Sequence, residues 1–477
     1  MKILKNYLYN VWYQILAVLL PFITIPYVSR VLGVGNVGVV SFTTANTQYF
    51  ILLASLGVTV YATREIAYIN QSVESVSAFF FEIMVLKTIL TVVSTLLFFV
   101  FIFLAPESYR HIYLIQLINV VAVVFDISWL YMGMQNFKVT VLRNTIVKLL
   151  SATLIFLFVK SASDLGLYIA ILAISVLFGN WSMWPYVMKY TKRVSHIHPF
   201  VHLKAIVLLF IPQVAIQVFT VMNKTILGVS ATHTQIGLFE NSDKLIRLLT
   251  AFITASGTVL LPAISELFRT NDFEKIRDYM KKGFDLTNFV VFPIVISLIA
   301  FGGKFGVWFF GSDFQGIGKI IMILAPTLIF MSWNNVISSQ YLLPSRRESI
   351  YTMSFVFGAV LNGALNFILD SPWGAIGAAV SALLSEFFVA TYQLFMIRNF
   401  FDIKIILVNT LKTVVAASIM GGMFAVVISR SKAIGYVGLL FALILGGIVY
   451  VLLNVLMKTT AYIEVHNFFT KRRDNAK

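Results

Sequence analysis

Arg30, Glu82, Lys87 and Asp126 in the first half of the chain stand inside otherwise apolar stretches, as do Lys224, Glu240, Asp243, Lys244, Arg247 and Glu386 in the second. A charge facing lipid costs kilocalories, so each should face the protein interior or water. The chemistry these groups offer is recognition rather than bond-making. A guanidinium presents a planar fork to phosphate or carboxylate oxygens and an ammonium only a point charge. Nothing in the chain resembles a nucleophile beside its base. Glu240, Lys244 and Arg247 follow as i, i+4 and i+7, which puts them on one helical face. Lys87 and Asp126 each lie about eight residues, or ~12 Å, from the same side of the membrane. Two readings of that pair stand: an ion pair locking two helices, or part of a binding site. Asn362 and Asn366, one turn apart, suggest hydrogen bonding between helices.

Arg30 sits in PFITIPYVSRVLGVGNVGVVSF, from Pro21 to Phe42. Pro21 and Pro26 each remove a backbone donor and should kink the helix. Leu32-Gly33 and Gly35 should close a tight turn. Gly38 should then start a second helix carrying Ser41, Thr43, Thr44, Asn46, Thr47 and Gln48. In a bilayer such a break is tolerated only against protein or a watery cavity. A cation at the break and a polar helix after it fit a cavity wall. An ordinary short loop, with Arg30 reaching to the headgroups, is the alternative.

The elements that must position these residues are membrane helices. Of 477 residues, 59% are hydrophobic and 12% charged, against about a quarter charged in soluble domains. Apolar runs predict about 14 spans, near 8–29, 37–62, 79–104, 111–134, 143–160, 165–188, 205–227, 237–262, 284–303, 317–342, 350–369, 374–397, 406–429 and 434–457. A transmembrane barrel would show short alternating segments instead. With the N-terminus inside, the inner segments collect most of the cations, among them Arg64, Arg143, Lys192, Arg193, Lys281, Lys282 and Lys471 to Arg473. That asymmetry places both termini in the cytoplasm. It also accounts for the net charge of +16 without nucleic acid. Ser265 to Gly283 reads as a basic amphipathic surface helix. No cleavable signal peptide is expected, because Tyr7 to Val28 is too long for an h-region and leads into the Arg30 turn.

Val31-Leu32-Gly33 followed by Val37-Gly38 recurs as Ile226-Leu227-Gly228 followed by Ile236-Gly237, and Ser128-Trp129 recurs as Ser332-Trp333. The offsets correspond to six spans, an even number. The halves should therefore share one orientation, related by an axis along the membrane normal, with substrate between them. The expected fold is an all-α polytopic membrane protein. It would have an N-terminal six-helix lobe over 1–200, a pseudo-symmetric C-terminal six-helix lobe over 201–400, and an appended helix pair with a basic cytoplasmic tail over 401–477. Aligned on the Leu-Gly turns, Lys224 falls opposite Ser29, beside Arg30. Each half would bring a cation to the same turn, as an anionic substrate would need.

Several chemistries are excluded. Without cysteine there are no disulfides or thiolate metal sites. Gly302-Gly303-Lys304 does not fit a P-loop, and no H-E-x-x-H occurs. His196, His198 and His202 cluster in one basic loop, where solvated side chains are a better reading than a metal site.

Four groups of residues then occur in a characteristic order. They are Pro26-Tyr27, Arg30, Leu32-Gly33 and Gly38; the run GVTVYATRE from Gly57 to Glu65; Asp126 with Trp129 and Gly133; and Asn366 with Gly374-Ala375-Ile376-Gly377-Ala378 and Glu386. Their order and spacing resemble the Wzx-type polysaccharide flippases, a branch of the superfamily that includes the multidrug MATE exporters and the lipid II flippase MurJ. The resemblance covers essentially the whole chain. It implies two six-helix lobes around a central cavity and alternating access. It implies movement of undecaprenyl-pyrophosphate-linked oligosaccharide from the inner to the outer leaflet of the bacterial cytoplasmic membrane, for O-antigen, capsule or exopolysaccharide assembly. On this reading Arg30, Lys87, Lys224, Lys244 and Arg247 would be substrate-binding cations. Glu65, Asp126, Glu240, Asp243 and Glu386 would be coupling or structural acids. The chain departs from the pattern at Asn223, where an Asp is expected before Lys224, so no fixed ion pair carries over there. No cofactor is implied beyond proton or sodium coupling. Implied partners are the polyprenyl-pyrophosphate-linked glycan, membrane lipids, a polysaccharide polymerase and glycosyltransferases, with no nucleic acid.

Other readings differ in what they require. A cation-coupled multidrug exporter would favour an acidic, aromatic cavity, whereas the interior charges lean basic. A membrane enzyme would need a large outside loop or a carboxylate-rich catalytic loop, and neither is evident, so a transporter rather than an enzyme is expected. A non-transporting scaffold of polysaccharide assembly stays open.

Overall fold

The computed structural model describes residues 2–192, 194, 196–430, 436–460 and 462. Side chains are described from residue 19 onward, except at 209, 211, 212, 255–263, 403, 405, 407, 425 and 427–441. Arg193 and Lys471 to Arg473 lie outside the described residues. The chain divides into two compact units, Met1–Gly237 and Leu238–Lys477. The first contains α1 (Lys2–Ser55), α2 (Val58–Ile69), α3 (Val73–Leu104), α4 (Glu107–Val121), α5 (Ser128–Gly133), α6 (Phe137–Phe158), α7 (Leu165–Trp181) and α8 (Leu203–Ser230). Next, α9 (His233–Arg269) leads into the second unit. There follow α10 (Phe273–Phe310), α11 (Ile317–Leu324), α12 (Thr327–Ile337), α13 (Glu348–Trp373), α14 (Ala375–Ile397), α15 (Ile403–Arg430) and α16 (Tyr436–Leu456). The expected spans fall largely on these helices; 165–188 runs past α7 into a 3-10 turn at Trp184–Lys189, and residues 434 and 435 of the last span lie outside the described residues. Among the described residues, eight helical segments are long and apolar enough to cross a membrane.

α1 contains Pro21 and Pro26 and is broken at Gly33, whose φ of 77° and ψ of 165° leave the helical region. A side chain there would be strained, and glycine is not. The expected turn over 32–35 is thus one residue long, and Gly35 and Gly38 are helical. The span expected over 37–62 is interrupted at Leu56-Gly57, where Gly57 takes φ 73° and separates α1 from α2. Ser265 to Gly283 is not a separate surface helix. It is the end of α9, a turn through Asn271 (φ 56°), and the start of α10, which Asp272 caps by accepting the Lys275 amide at 3.2 Å.

α4 and α5 make up one expected span. Between them the α-helix gives way to turns in which the amides of Val123, Val124, Phe125 and Asp126 bond three residues back, and a carbonyl left under-bonded in a bilayer has no water to turn to. Three side chains from elsewhere bond carbonyls of this stretch. Asn180 Nδ2 donates to the Ala122 carbonyl at 2.7 Å. Trp184 Nε1 donates to that of Phe125 at 3.0 Å. Lys87 Nζ donates to that of Asp126. The Asp126 carboxylate faces the other way along the chain and accepts the Ser128 amide at 3.0 Å, opening α5.

The second unit repeats the pattern. α11 and α12 make one expected span interrupted at Ala325-Pro326, 203 residues after the α4–α5 break begins at Ala122. Trp129 packs on Phe80 with ring centroids 5.6 Å apart. Trp333 packs on Phe284 at 6.2 Å, and both residues are 204 positions later. The other recurring motif matches in burial: Leu32 and Leu227 are buried, as are Val37 and Ile236. Its last glycines meet directly within the first unit. A Cβ on Gly38 would strike the His233 carbonyl, and one on Gly237 the Val34 carbonyl. The backbones of α1 and the first turn of α9 touch only because both side chains are absent.

Candidate functional site

A cavity of about 650 Å³ opens inside the first unit among α1, α4, α6 and α7. Bundle interiors are ordinarily apolar, but here each helix turns polar side chains inward. α1 contributes Thr44, Thr47 and Gln48, and α4 contributes Gln116 and Asn119. α6 contributes Arg143, Asn144, Lys148 and Ser151, and α7 Ser175 and Asn180. Asp126 lies at the edge of the α4 break, and among the described residues no aromatic ring lines the space.

The wall is internally organised. Asn119 donates to Gln116 Oε1 at 2.8 Å, and Gln116 to Thr44 Oγ1 at 3.0 Å. The Arg143 guanidinium donates to the amide oxygens of Asn144 and Asn180. Gly179 makes that position accessible, since a Cβ there would lie 3.2 Å from Arg143 Nε. Asn180 therefore does two things: its nitrogen holds the α4 break and its oxygen aims Arg143. The amide oxygens fix the guanidinium in place, and its charge also acts on the Asp126 carboxylate. The arrangement can hold a hydrated or hydroxyl-rich molecule.

The residues expected from the sequence are placed as follows. Arg30 is exposed, three residues before the break in α1, and Lys224 is half-buried in α8. Lys87 is buried, with 1% of its surface exposed. Its ammonium meets the Asp126 main-chain carbonyl rather than the carboxylate, which suits a brace better than a substrate cation. On α9, Lys244 pairs with Glu240 at 2.9 Å, and Arg247 with Asp243 at 2.8 Å. The shared helical face is present, but each cation is matched by an acid one turn earlier. Glu386 accepts from Asn334 at 3.2 Å, joining α14 to α12. Glu65 pairs at 3.7 Å with its neighbour Arg64 on the surface of α2.

Two readings change. His202 is not solvated: its Nε2 meets Glu82 at 2.8 Å and its Nδ1 the Tyr61 hydroxyl at 2.8 Å. The His198 amide reaches the same carboxylate at 2.8 Å, so Glu82 fastens the segment before α8 to α3. Asn366 donates to Asn362 Oδ1 at 2.9 Å within α13. Arg143, expected among the loop cations, lines the cavity instead, as do Lys148 and Asn180, which the sequence reading did not single out. Asp370, just past the expected 350–369 span, is buried, and its carboxylate oxygens meet no hydrogen-bond partner among the described residues.

Comparison with known proteins adds four findings. Residues 3–268 match the family described as polysaccharide biosynthesis protein. A putative O-antigen transporter of Shigella dysenteriae is 25% identical over 391 residues, covering 79% of this chain and 95% of that protein. One from Escherichia coli K12 is 24% identical over 409 residues, covering 83% and 96%. Among solved structures, the lipid II flippase MurJ in an inward closed conformation superposes with a TM-score of 0.78 at 16% identity, over 95% of this chain and 98% of that one.

Proposed function

The chain belongs to the polysaccharide biosynthesis protein family, and from that premise we propose that it is a flippase carrying lipid-linked oligosaccharide across the membrane. The polyprenyl tail would stay in lipid while the glycan and its pyrophosphate pass through protein. The observation that carries the reading is the cavity of the first unit, where amides, hydroxyls, two cations and Asp126 stand among aliphatic side chains inside an apolar bundle. A glycan cannot cross hydrocarbon, and such a wall replaces the water that its hydroxyls give up. The described residues of that wall include no aromatic ring, which disfavours a lipophilic cation, since an exporter of drugs would hold it on aromatic faces.

The pyrophosphate carries about two negative charges. Outward movement from a negative interior is then favoured by about 4.6 kcal/mol per 100 mV, at about 2.3 kcal/mol per charge, if no ion accompanies it. Proton or sodium coupling through the acids Glu65, Asp126, Glu240, Asp243 and Glu386 is the alternative, and ionophore sensitivity of export distinguishes the two. The proposed orientation keeps both termini in the cytoplasm. Arg30 and Lys224, from equivalent turns of the two repeats, are the proposed pyrophosphate contacts. Lys244 and Arg247, proposed as cations of the second unit, would meet anions only when their partners Glu240 and Asp243 release them.

Complementation of surface polysaccharide, with the membrane level of each variant measured, tests the reading. Arg30→Lys should impair export and Arg30→Ala should impair it more, because the fork is lost first and the charge second. Normal export by Arg30→Ala and by Lys244→Ala with Arg247→Ala, at normal abundance, would sink the cationic mechanism.

A further inference from the structure

One end of the second unit holds arginines on ring faces rather than on carboxylates. Tyr341 and Phe400 stack with centroids 4.4 Å apart and planes inclined by 30°. They stand at the ends of the expected spans 317–342 and 374–397 that the proposed orientation turns to the cytoplasm. The Arg347 guanidinium lies over Tyr341 at 5.3 Å, and that of Arg277 over Phe400 at 5.2 Å. Arg398 lies over the Phe395 ring at 3.6 Å. The backbone bends to allow this. Arg346 takes φ 58°, a left-handed conformation uncommon outside glycine, and the Arg347 amide returns to the Leu342 carbonyl at 2.8 Å. All three ring-bound arginines are exposed. The lysines nearby are matched differently: Lys275 pairs with Asp272 at 2.6 Å and Lys282 with Asp278 at 2.8 Å. Among the described residues, no ion pair includes Arg277, Arg347 or Arg398. A ring face holds the plane of a guanidinium and leaves its N–H edge open, with its full charge.

We propose that this end of the second unit binds the headgroup phosphates of anionic phospholipids, with Arg277 and Arg347 as the contacts and Arg398 beside them. Depth and charge both fit. α10 has 38 residues, about 57 Å at about 1.5 Å per residue, and so overruns a hydrocarbon core of about 30 Å. Arg277, in its second turn, stands where headgroups lie. Aromatic residues are favoured at that level, and the cytoplasmic leaflet attracts such cations through its anionic lipids. A phosphodiester accepts the two parallel N–H bonds of a guanidinium fork. The ligand is lipid of the surrounding bilayer, so the inference stands apart from the flippase reading.

The experiment follows thermal unfolding of the purified full-length protein in neutral detergent while lipid is titrated in. The probes are phosphatidylglycerol, phosphatidylcholine with the same chains, and glycerol 3-phosphate, which keeps the phosphate without the chains. Phosphatidylglycerol should raise Tm at a concentration at least about tenfold lower than phosphatidylcholine needs, and glycerol 3-phosphate should leave Tm unchanged. Arg277→Gln with Arg347→Gln should raise the half-effective concentration of phosphatidylglycerol about thirtyfold, at about 1 kcal/mol per cation. Lys275→Gln with Lys282→Gln removes the same charge from the same helix end. Because those lysines are already matched, it should change the value less than about threefold. Arg277→Lys with Arg347→Lys keeps the charge and loses the fork, and should raise the value about fivefold to tenfold. It decides the matter alone if the paired Gln variant fails to fold. Equal stabilisation by the two lipids overturns the proposal, as does stabilisation by glycerol 3-phosphate matching that of phosphatidylglycerol. So does an equal loss in the arginine and lysine Gln variants, which would reduce the effect to surface charge, or a paired Lys variant that behaves as the parent.

Discussion

Replacing Lys87 by Met tests what the break between α4 and α5 rests on. Met keeps most of the side-chain volume, so the change isolates the ammonium. That group is 1% exposed and donates to the Asp126 carbonyl. A hydrogen bond from a charged donor contributes about 1.5–3 kcal/mol, and a stranded buried carbonyl costs about 1–3 kcal/mol. Relief from burying an ammonium works in the other direction. The expected net loss is about 1–3 kcal/mol. For a unit of this size that corresponds to a fall of about 2–12 °C in Tm, at about 2–4 °C per kcal/mol. Trp184→Phe removes one neutral bond and should cost less, about 0.5–1.5 kcal/mol. The decisive comparison is Lys87→Met with Asp126→Asn. An ion pair between side chains would let the second change rescue the first, because the stranded carboxylate would be gone. A carbonyl brace predicts little rescue, since Asp126→Asn leaves the same main-chain oxygen bare. The assay is thermal unfolding of purified protein, with export measured in parallel. Full recovery in the double variant would refute the brace. An unchanged Tm with export lost would return Lys87 to the substrate site.

Gly237→Ala should destabilise by about 1–3 kcal/mol or more, because its Cβ would meet the Val34 carbonyl. Gly35→Ala is the control, with nothing within 4 Å of its Cβ, and a Tm lowered equally by both would refute the close-approach argument. At the start of α10, the Lys275 ammonium and amide hold the Asp272 carboxyl below the usual carboxylate range. A depressed folded-state pKa adds stability that is fully present above the unfolded value of about 3.9. That contribution is lost as pH falls through the lower folded value. Asp272→Asn should therefore lower Tm at pH 7 and narrow the gap to the parent below about pH 4; a gap that widened in acid would contradict this.

The spans were legible because their length and apolarity are local properties, and Gly33 and Pro326 marked two breaks through their own chemistry. The break after α4 was not. Ala122 to Ile127 reads AVVFDI, with neither proline nor glycine. Its cause lies in Lys87, Asn180 and Trp184, which come from other elements. The cavity was half legible: the polar stripe of α1 stood out, but Arg143 sits near a span edge where a cation is unremarkable. Only packing shows that α6 turns it inward beside Asn180. The face shared by Glu240, Lys244 and Arg247 followed from helical spacing. The same spacing puts Asp243 one turn before Arg247, and this i, i+4 neighbour forms the pair.

The braces over the α4 break also set a timetable for synthesis. Lys87 is made before the segment it supports. Asn180 and Trp184 emerge more than fifty residues after Ala122 and Phe125. Until they arrive, those two carbonyls have only amides of their own helix to bond in the bilayer. The segment should therefore enter the membrane as continuous helix and unwind when α7 docks, so that the cavity is a late product of folding. Chains arrested on the ribosome before and after residue 184 would show this. A cysteine placed at Val123, which lines the cavity, should resist aqueous thiol reagents in the shorter chain and react in the longer. Equal reactivity in both would mean the break forms without its braces.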